Sequence, residues 1–363
     1  MENFLTIIYA HRNRDLSRIQ TSLRSLENQR RQNFEVIFID YGSDTEILFL
    51  LEDLIKKFSF VKLIKLDVSK LLWNKSKALN IGIRNASSPF IFIADVDLIF
   101  HGKAISLMCK TASSSHFQLF TLAYLNKLES EKLSSTWEFE NVKIRNYGKV
   151  NGMILASKEA FETIHGYDEF FHFYGAEDED VHGRLENAGY RPKLNEDEYF
   201  FHYWHQSYAA SEENMLTIPP RVHNIRRINQ RHFLNNKQYR IKKPLRQQQW
   251  GMILQPSDFF CLSFPTIECN ISNIKAHVDH FLHEEFQTFK RGEVVKVNFV
   301  KDPYYYTLTH RVKKILGRQS QPFCSLKEVN DMVLKKIVFQ YRDHIYSYKI
   351  AEDLTRITLR IKI

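Results

Sequence analysis

The chain has 363 residues, 44% of them hydrophobic and 13% aromatic, which supports a large core and excludes a disordered polypeptide. No run approaches the roughly 20 apolar residues of a membrane span, and the four cysteines (Cys109, Cys261, Cys269, Cys324) lack disulfide-framework or zinc spacing, which fits a reducing cytoplasm. The formal charge of +9 is uneven: residues 221–250 hold nine Lys/Arg and no acid, whereas 167–198 is mainly acidic.

Residues 4–9 are an apolar run with no basic segment before it, so the N-terminus reads as a first strand and not a secretory leader. Asp15 caps a helix to about residue 28, with Leu16, Ile19, Leu23 and Leu26 on one face. EVIFID (35–40) is a buried strand closed by the turn YGSD, and a helix follows to residue 57. A third strand is expected over 61–66, a helix over 75–85 and a doubly buried strand, FIFIA, over 90–94. Continuous apolar strands separated by helices predict a mostly parallel α/β sheet with helices on both faces. Ligands of such sheets lie beyond the carboxyl ends of the strands, which singles out residues 11–14, Asp40 and residues 95–97.

Residues 113–141 are polar and read as an irregular excursion, followed by a strand over 149–156 and a helix over 157–164. Beyond 214 the pattern changes. Three spans are expected: a catalytic domain (1–214), a basic linker with surface helices (215–255) and a smaller C-terminal α/β extension (256–363). In the last, strands are expected over 294–300, 304–308 and 357–361, and helices over 273–289 and 325–338.

Chemistry concentrates in YGAEDEDVHGRLENAG (174–189), where Glu177, Asp178, Glu179 and Asp180 open a short helix closed by Gly189. Acids at a helix N-terminus fit the macrodipole, so a capped surface helix is one reading. Four in a row exceed what capping needs, and their repulsion points to a nearby cation or sugar hydroxyls. In Asp95-Val96-Asp97, strand alternation puts both carboxylates on one face, one for a ligand hydroxyl and the other for a metal. His202 and His205 can meet one cation, and imidazole suits Mn or Zn better than Mg. With Asp97 they form a two-histidine, one-carboxylate set that leaves positions open for diphosphate oxygens. Arg12 and Arg14 offer forked hydrogen bonds to a diphosphate, or else lie in a solvated loop. Residues 73–77 precede a helix whose N-terminus favours an anion. The basic run 221–250 either grips an anionic surface, such as phospholipid or a lipid-diphosphate acceptor, or is a solvated helical face.

The segments WNKSKALNIGIRNA (73–86), FIFIADVDLIF (90–100) and VNGMILASKEAFETIHGYDEFFHFYGAEDEDVHGRL (150–185) occur in register. Their order and spacing resemble inverting nucleotide-sugar glycosyltransferases of the GT-A (Rossmann-like) fold. The best match is the C-terminal galactosyltransferase module of β-1,4-galactosyltransferases and chondroitin-synthesising enzymes. The opening strand with HRNR, and IDYGSD, look like family 2 members; the resemblance spans about 3–210. It implies that Asp97 and His205 bind Mn2+ or Mg2+, with His202 standing where animal enzymes use methionine. It further implies that Asp95 faces the ribose, with Val96 beside it on the donor side, and that Asp178 is the catalytic base. Glu177, Glu179 and Tyr174 would meet the acceptor; His11, Arg12, Arg14, Asp40, Lys77 and Asn80 would meet the donor. The turn after the second strand departs from the family pattern, since Asp40-Tyr41 stands where many members have two acids, the second often meeting uracil.

The expected activity is metal-dependent, inverting transfer of a hexose or N-acetylhexosamine from a UDP-sugar to a sugar hydroxyl. Without the membrane anchor and paired cysteines of animal secretory-pathway relatives, the resemblance points to a bacterial cytoplasmic enzyme of surface-polysaccharide synthesis. Such an enzyme would act on a saccharide acceptor, free or lipid-diphosphate linked, at the inner face of the membrane. A metal-dependent sugar nucleotidyltransferase is the alternative enzyme, but residues 9–15 contain no glycine for a phosphate loop. A nucleic-acid-binding module would leave Asp-Val-Asp and GAEDED unexplained, so no nucleic-acid partner is expected.

Overall fold

Strands β1 (Leu5–His11) and β2 (Phe34–Tyr41) are buried along nearly their whole length, as expected of central strands covered on both faces. In the computed structural model, which describes residues 3–149, 152–206, 213–247, 249–317 and 322–363, they alternate with helices in the expected order. Helix α1 (Leu16–Glu27) starts where Asp15 accepts a hydrogen bond from the Ser17 N–H at 2.9 Å, and buries Ile19, Leu23 and Leu26. Then come α2 (Thr45–Ile55), β3 (Val61–Leu66), α3 (Lys75–Asn85) and β4 (Phe90–Ala94). Asn74 caps α3 by accepting from the Lys77 N–H at 2.8 Å.

The chain continues through β5 (Leu98–Phe100), α4 (Ala104–Thr111), β6 (His116–Phe120), β7 (Leu122–Tyr124) and α5 (Lys127–Thr136). Next are β8 (Asn146–Gly148), β9 (Ile154–Ser157), α6 (Lys158–Thr163), α7 (Glu177–Asn187), β10 (Arg191–Asn195), β11 (Phe200–His202) and α8 (Ile225–Gln238). The main sheet has seven strands in the order β10-β6-β9-β4-β1-β2-β3 and is parallel except for β9, which runs antiparallel to β4 and β6. A second, four-stranded sheet has the order β5-β11-β7-β8. Residues 113–141, expected to be irregular, supply β6 to the main sheet because Phe117 and Phe120 pack in its interior despite polar neighbours. Residues 150 and 151 of the expected strand over 149–156 lie outside the described residues, and β9 begins at Ile154.

Contacts divide the chain into two units: Met1–Ser69, Trp73–Ser207 and Arg226–Ile253 form one, and Lys70–Leu72, Tyr208–Ile225 and Leu254–Ile363 the other. The basic span expected as a linker is thus divided, and α8 belongs almost wholly to the first unit. Its polar residues explain this. Asn229 donates to the carbonyls of His172 (3.0 Å) and Tyr174 (3.1 Å), and Asn236 donates to Asp180 at 2.8 Å.

The second unit is built on a sheet of β12 (Ile267–Ser272), β13 (Val294–Val300), β14 (Tyr346–Ile350) and β15 (Arg356–Lys362), in the order β12-β13-β15-β14. Its helices are α9 (Lys275–His280), α10 (Phe286–Thr288), α11 (Leu308–Ile315) and α12 (Leu326–Lys336). The strand expected over 304–308 is instead a 3-10 turn, Pro303–Tyr306, leading into α11. Asp302 accepts from the Tyr304 N–H at 2.9 Å and Pro303 takes the first turn position, so helix-start chemistry overrides the β-propensity of the tyrosines.

Candidate active site

The second sheet assembles the metal-ligand candidates. β11 pairs antiparallel with β5, setting His202 opposite Leu98, and the Tyr203 N–H donates to the Asp97 carbonyl at 2.9 Å. His202 Nε2 thereby lies 3.7 Å from Asp97 Oδ1, and His205 Nε2 lies 3.1 Å from Asp97 Oδ2. One ligand atom from each residue lies within 4.8 Å of the others. Asp97 Oδ1 is buried and has no hydrogen-bond partner in the chain. Burial alone would raise this carboxyl, but the His205 hydrogen bond and the charges of His202, His205 and Arg18 hold it down to about 2. An ionised, partly unsatisfied carboxylate beside two imidazoles fits a divalent metal ion. Arg18, which sequence reasoning missed, sits 3.5 Å from Asp97. Its position one turn after the Asp15 cap was the available signal.

A second charged cluster lies around Asp178. The loop before α7 makes tight left-handed turns at Phe173, Gly175 and Ala176 (φ 63°, 105° and 69°), and the Gly175 N–H donates to Glu177 Oε2 at 2.8 Å. Lys75, at the start of α3, reaches Asp95 Oδ1 at 3.0 Å and Glu177 Oε1 at 3.8 Å. Asp178 Oδ1 is buried with no hydrogen-bond partner. Burial raises the Asp178 carboxyl, the Lys75 ammonium opposes the rise, and Glu177, Asp95 and Glu179 add to it, leaving the group at about 7. Burial works against the Lys75 ammonium, but the charges of Asp178, Asp95 and Glu177 push it upward, so it stays charged.

Gly152, a position that sequence reasoning did not single out, makes this cluster sterically feasible. A Cβ there would lie 3.1 Å from Asp178 Oδ2 and 3.3 Å from Asp95 Oδ2. Gly152→Ala is therefore expected to displace both carboxylates and lower turnover, while the thermal midpoint changes little because only side-chain ends must yield. Turnover equal to the parent's would show that these carboxylates need not hold their positions.

The four acids of GAEDED have separate surroundings. Asp180 is buried and pairs within α7 with Arg184, whose Nε donates to it at 2.6 Å, while the Asn236 amide donates to it at 2.8 Å and ties α7 to α8. Glu177 is buried, and Glu179 is exposed. Tyr174 is half-exposed, with the Arg226 guanidinium 5.5 Å from its ring centroid.

Several residues expected at the donor serve the scaffold instead. His11 and Asp40 are fully buried and bonded to each other at 2.9 Å, and Ser43 N–H and Oγ also donate to Asp40. His11 Nε2 accepts from the Arg14 N–H at 3.1 Å, so the pair fixes the HRNR loop rather than facing a ligand. Asn80 is likewise sealed: it donates to the Tyr167 carbonyl (2.8 Å) and Glu169 (3.0 Å) and accepts from the Tyr167 N–H (2.7 Å). Its amide is fully spent on the loop over 167–169. Val96 is buried in the hydrophobic core. Lys77 lies 3.9 Å from Glu169, Arg12 donates to the Ser69 carbonyl, and Arg14 is exposed.

The family model described as glycosyl transferase family 2 matches residues 6–159, and that described as N-terminal domain of galactosyltransferase matches residues 131–206. Together they cover Asp97, His202, His205 and the Asp178 cluster, so this part of the chain is similar to glycosyltransferase domains. No curated protein matches the chain. Among solved structures it is similar to S. aureus TarS (15% identity, 55% of this chain and 37% of that one, TM-score 0.42). It is also similar to TarS 1-349 (13%, 96% and 94%, 0.46) and to the mannosyltransferase PcManGT from Pyrobaculum calidifontis in complex with GDP-Man and Mn2+ (15%, 58% and 60%, 0.43). The chain thus covers less than two thirds of the length of TarS and of PcManGT.

Proposed function

We propose that the first unit is a metal-dependent, inverting glycosyltransferase that moves a hexose or N-acetylhexosamine from a UDP-sugar to a sugar hydroxyl in bacterial surface-polysaccharide synthesis. The observation that carries the reading is Asp178, a carboxylate with a buried, unpartnered oxygen and a pKa near 7 in the same site as the Asp97, His202 and His205 set. Asp178 takes the proton from the acceptor hydroxyl as that oxygen attacks the anomeric carbon opposite the diphosphate. Lys75 holds Asp95 and Glu177 beside it, and Tyr174 offers an aromatic face to the acceptor. Asp97, His202 and His205 would hold the divalent ion, whose charge offsets that gathering on the departing diphosphate. Arg12, Arg14 and Lys77 are the cations left for the donor side. In this reading the acceptor is a saccharide, lipid-linked at the inner membrane face, with the exposed Arg226, Arg227 and Arg231 of α8 turned to anionic lipid.

The test is a screen of UDP-, GDP- and dTDP-sugars for Mn2+-dependent thermal stabilisation and hydrolysis. Stabilisation by UDP-sugars only when metal is present supports the reading. Stabilisation by none of the three, with or without metal, refutes it.

The pH dependence follows from the base. Activity requires ionised Asp178, so kcat/KM rises with pH through an apparent pKa near 7. Lys75 favours the ionised form, so Lys75→Met moves that limb to higher pH, as a pH–rate profile would record. A limb that stays in place would remove Lys75 from the control of the base.

A further inference from the structure

Helix α11 (Leu308–Ile315) turns its apolar side chains away from its own unit. Leu308 is 76% exposed, Val312 51%, Ile315 83% and the following Leu316 60%. At about 100° per residue these four fall within an arc of roughly 100°. By the same spacing Arg311 and Lys313 flank the arc, one on either side. The opposite face anchors the helix. His310 is buried, with its ring 5.0 Å from that of Phe323, 5.5 Å from that of Tyr305 and 5.7 Å from that of Tyr304.

The local charge identifies the occupant. From 303 to 326 the sequence carries Arg311, Lys313, Lys314 and Arg318 and no acid. A second copy of the chain would bring two such segments together and repel. An anionic bilayer satisfies both features, because apolar side chains enter the headgroup–acyl boundary while flanking cations extend along the surface to lipid phosphates.

We propose that α11 is an interfacial helix that inserts Leu308, Val312, Ile315 and Leu316 into an anionic membrane surface, with Arg311 and Lys313 against the headgroups. The inference concerns the second unit, is separate from the α8 arginines, and stands independently of the transferase chemistry. One short helix gives weak, reversible attachment.

The full chain is sedimented with vesicles of phosphatidylcholine alone and with vesicles containing phosphatidylglycerol. Binding is expected only to the latter and weakens with salt. Val312→Asp with Ile315→Asp is expected to reduce it roughly tenfold or more through lost apolar insertion. Because both positions are exposed, the variant's thermal unfolding should match the parent's. Leu316→Trp should gain blue-shifted emission on anionic vesicles. Equal sedimentation with both vesicle types, or parental binding by the double variant, overturns the proposal. So does loss of binding only on charge reversal of Arg226, Arg227 and Arg231, which places docking on α8. Lipid-free self-association abolished by Ile315→Asp would assign the face to a second copy and equally overturn it.

Discussion

Asp178→Asn is expected to leave donor binding intact and to cut turnover by about 10²–10⁴. The substitution keeps the shape but removes the proton acceptor. It also removes a carboxylate that burial and its neighbours already hold near 7, so the folded chain loses little charge pairing. Single-turnover kinetics alongside donor titration separate the outcomes. Full activity would transfer the role to Glu177 or Glu179. Loss of donor binding would instead give Asp178 a structural part.

Asp97→Ala should abolish metal-dependent donor binding. Among the described residues Asp97 is the one carboxylate paired with both His202 and His205, and losing even a group that only supports a ligand typically costs about 10–100-fold in metal affinity. Losing the central ligand should exceed that. Calorimetric titration of Mn2+ with UDP present reads the effect directly. A variant with the parent's Mn2+ requirement and affinity would remove the metal assignment.

The core of this fold was legible because its strands are continuous apolar runs and its helices carry plain start signals. FIFIA, the Asp15 cap and the helix over 75–85 fall where the pattern puts them. The spacing of Asp-Val-Asp and of His202 and His205 singled out groups that do come together, but not by strand alternation: Asp95 and Asp97 lie in the turn between β4 and β5, Asp97 beside the two histidines and Asp95 beside Lys75. Spacing failed where burial decides the role. Nothing local distinguishes an Asn80 that faces a donor from one whose amide is consumed by the 167–169 loop. Asp40 and His11 likewise look like ligand-facing residues at strand ends, yet Ser43 and their own pairing enclose them. Arg18 and Gly152 escaped for the complementary reason. Their importance is a distance to Asp97, or to Asp178 and Asp95, that only the tertiary structure sets. In the second unit, β12 (IECNIS) and β14 (YSYKI) were missed although both alternate apolar and polar residues, whereas the tyrosines of 304–306 suggested a strand that Asp302 and Pro303 convert to a helical turn.

The central claim is a single displacement assisted by Asp178, and the anomeric configuration of the product tests it most directly. Proton NMR of the reaction of an α-configured UDP-sugar with a saccharide acceptor, in the presence of Mn2+, reads that configuration from the first product formed. The account predicts a β-linked product whose formation is lost in Asp178→Asn. An α-linked product, or a β-linked one formed undiminished by Asp178→Asn, would contradict it.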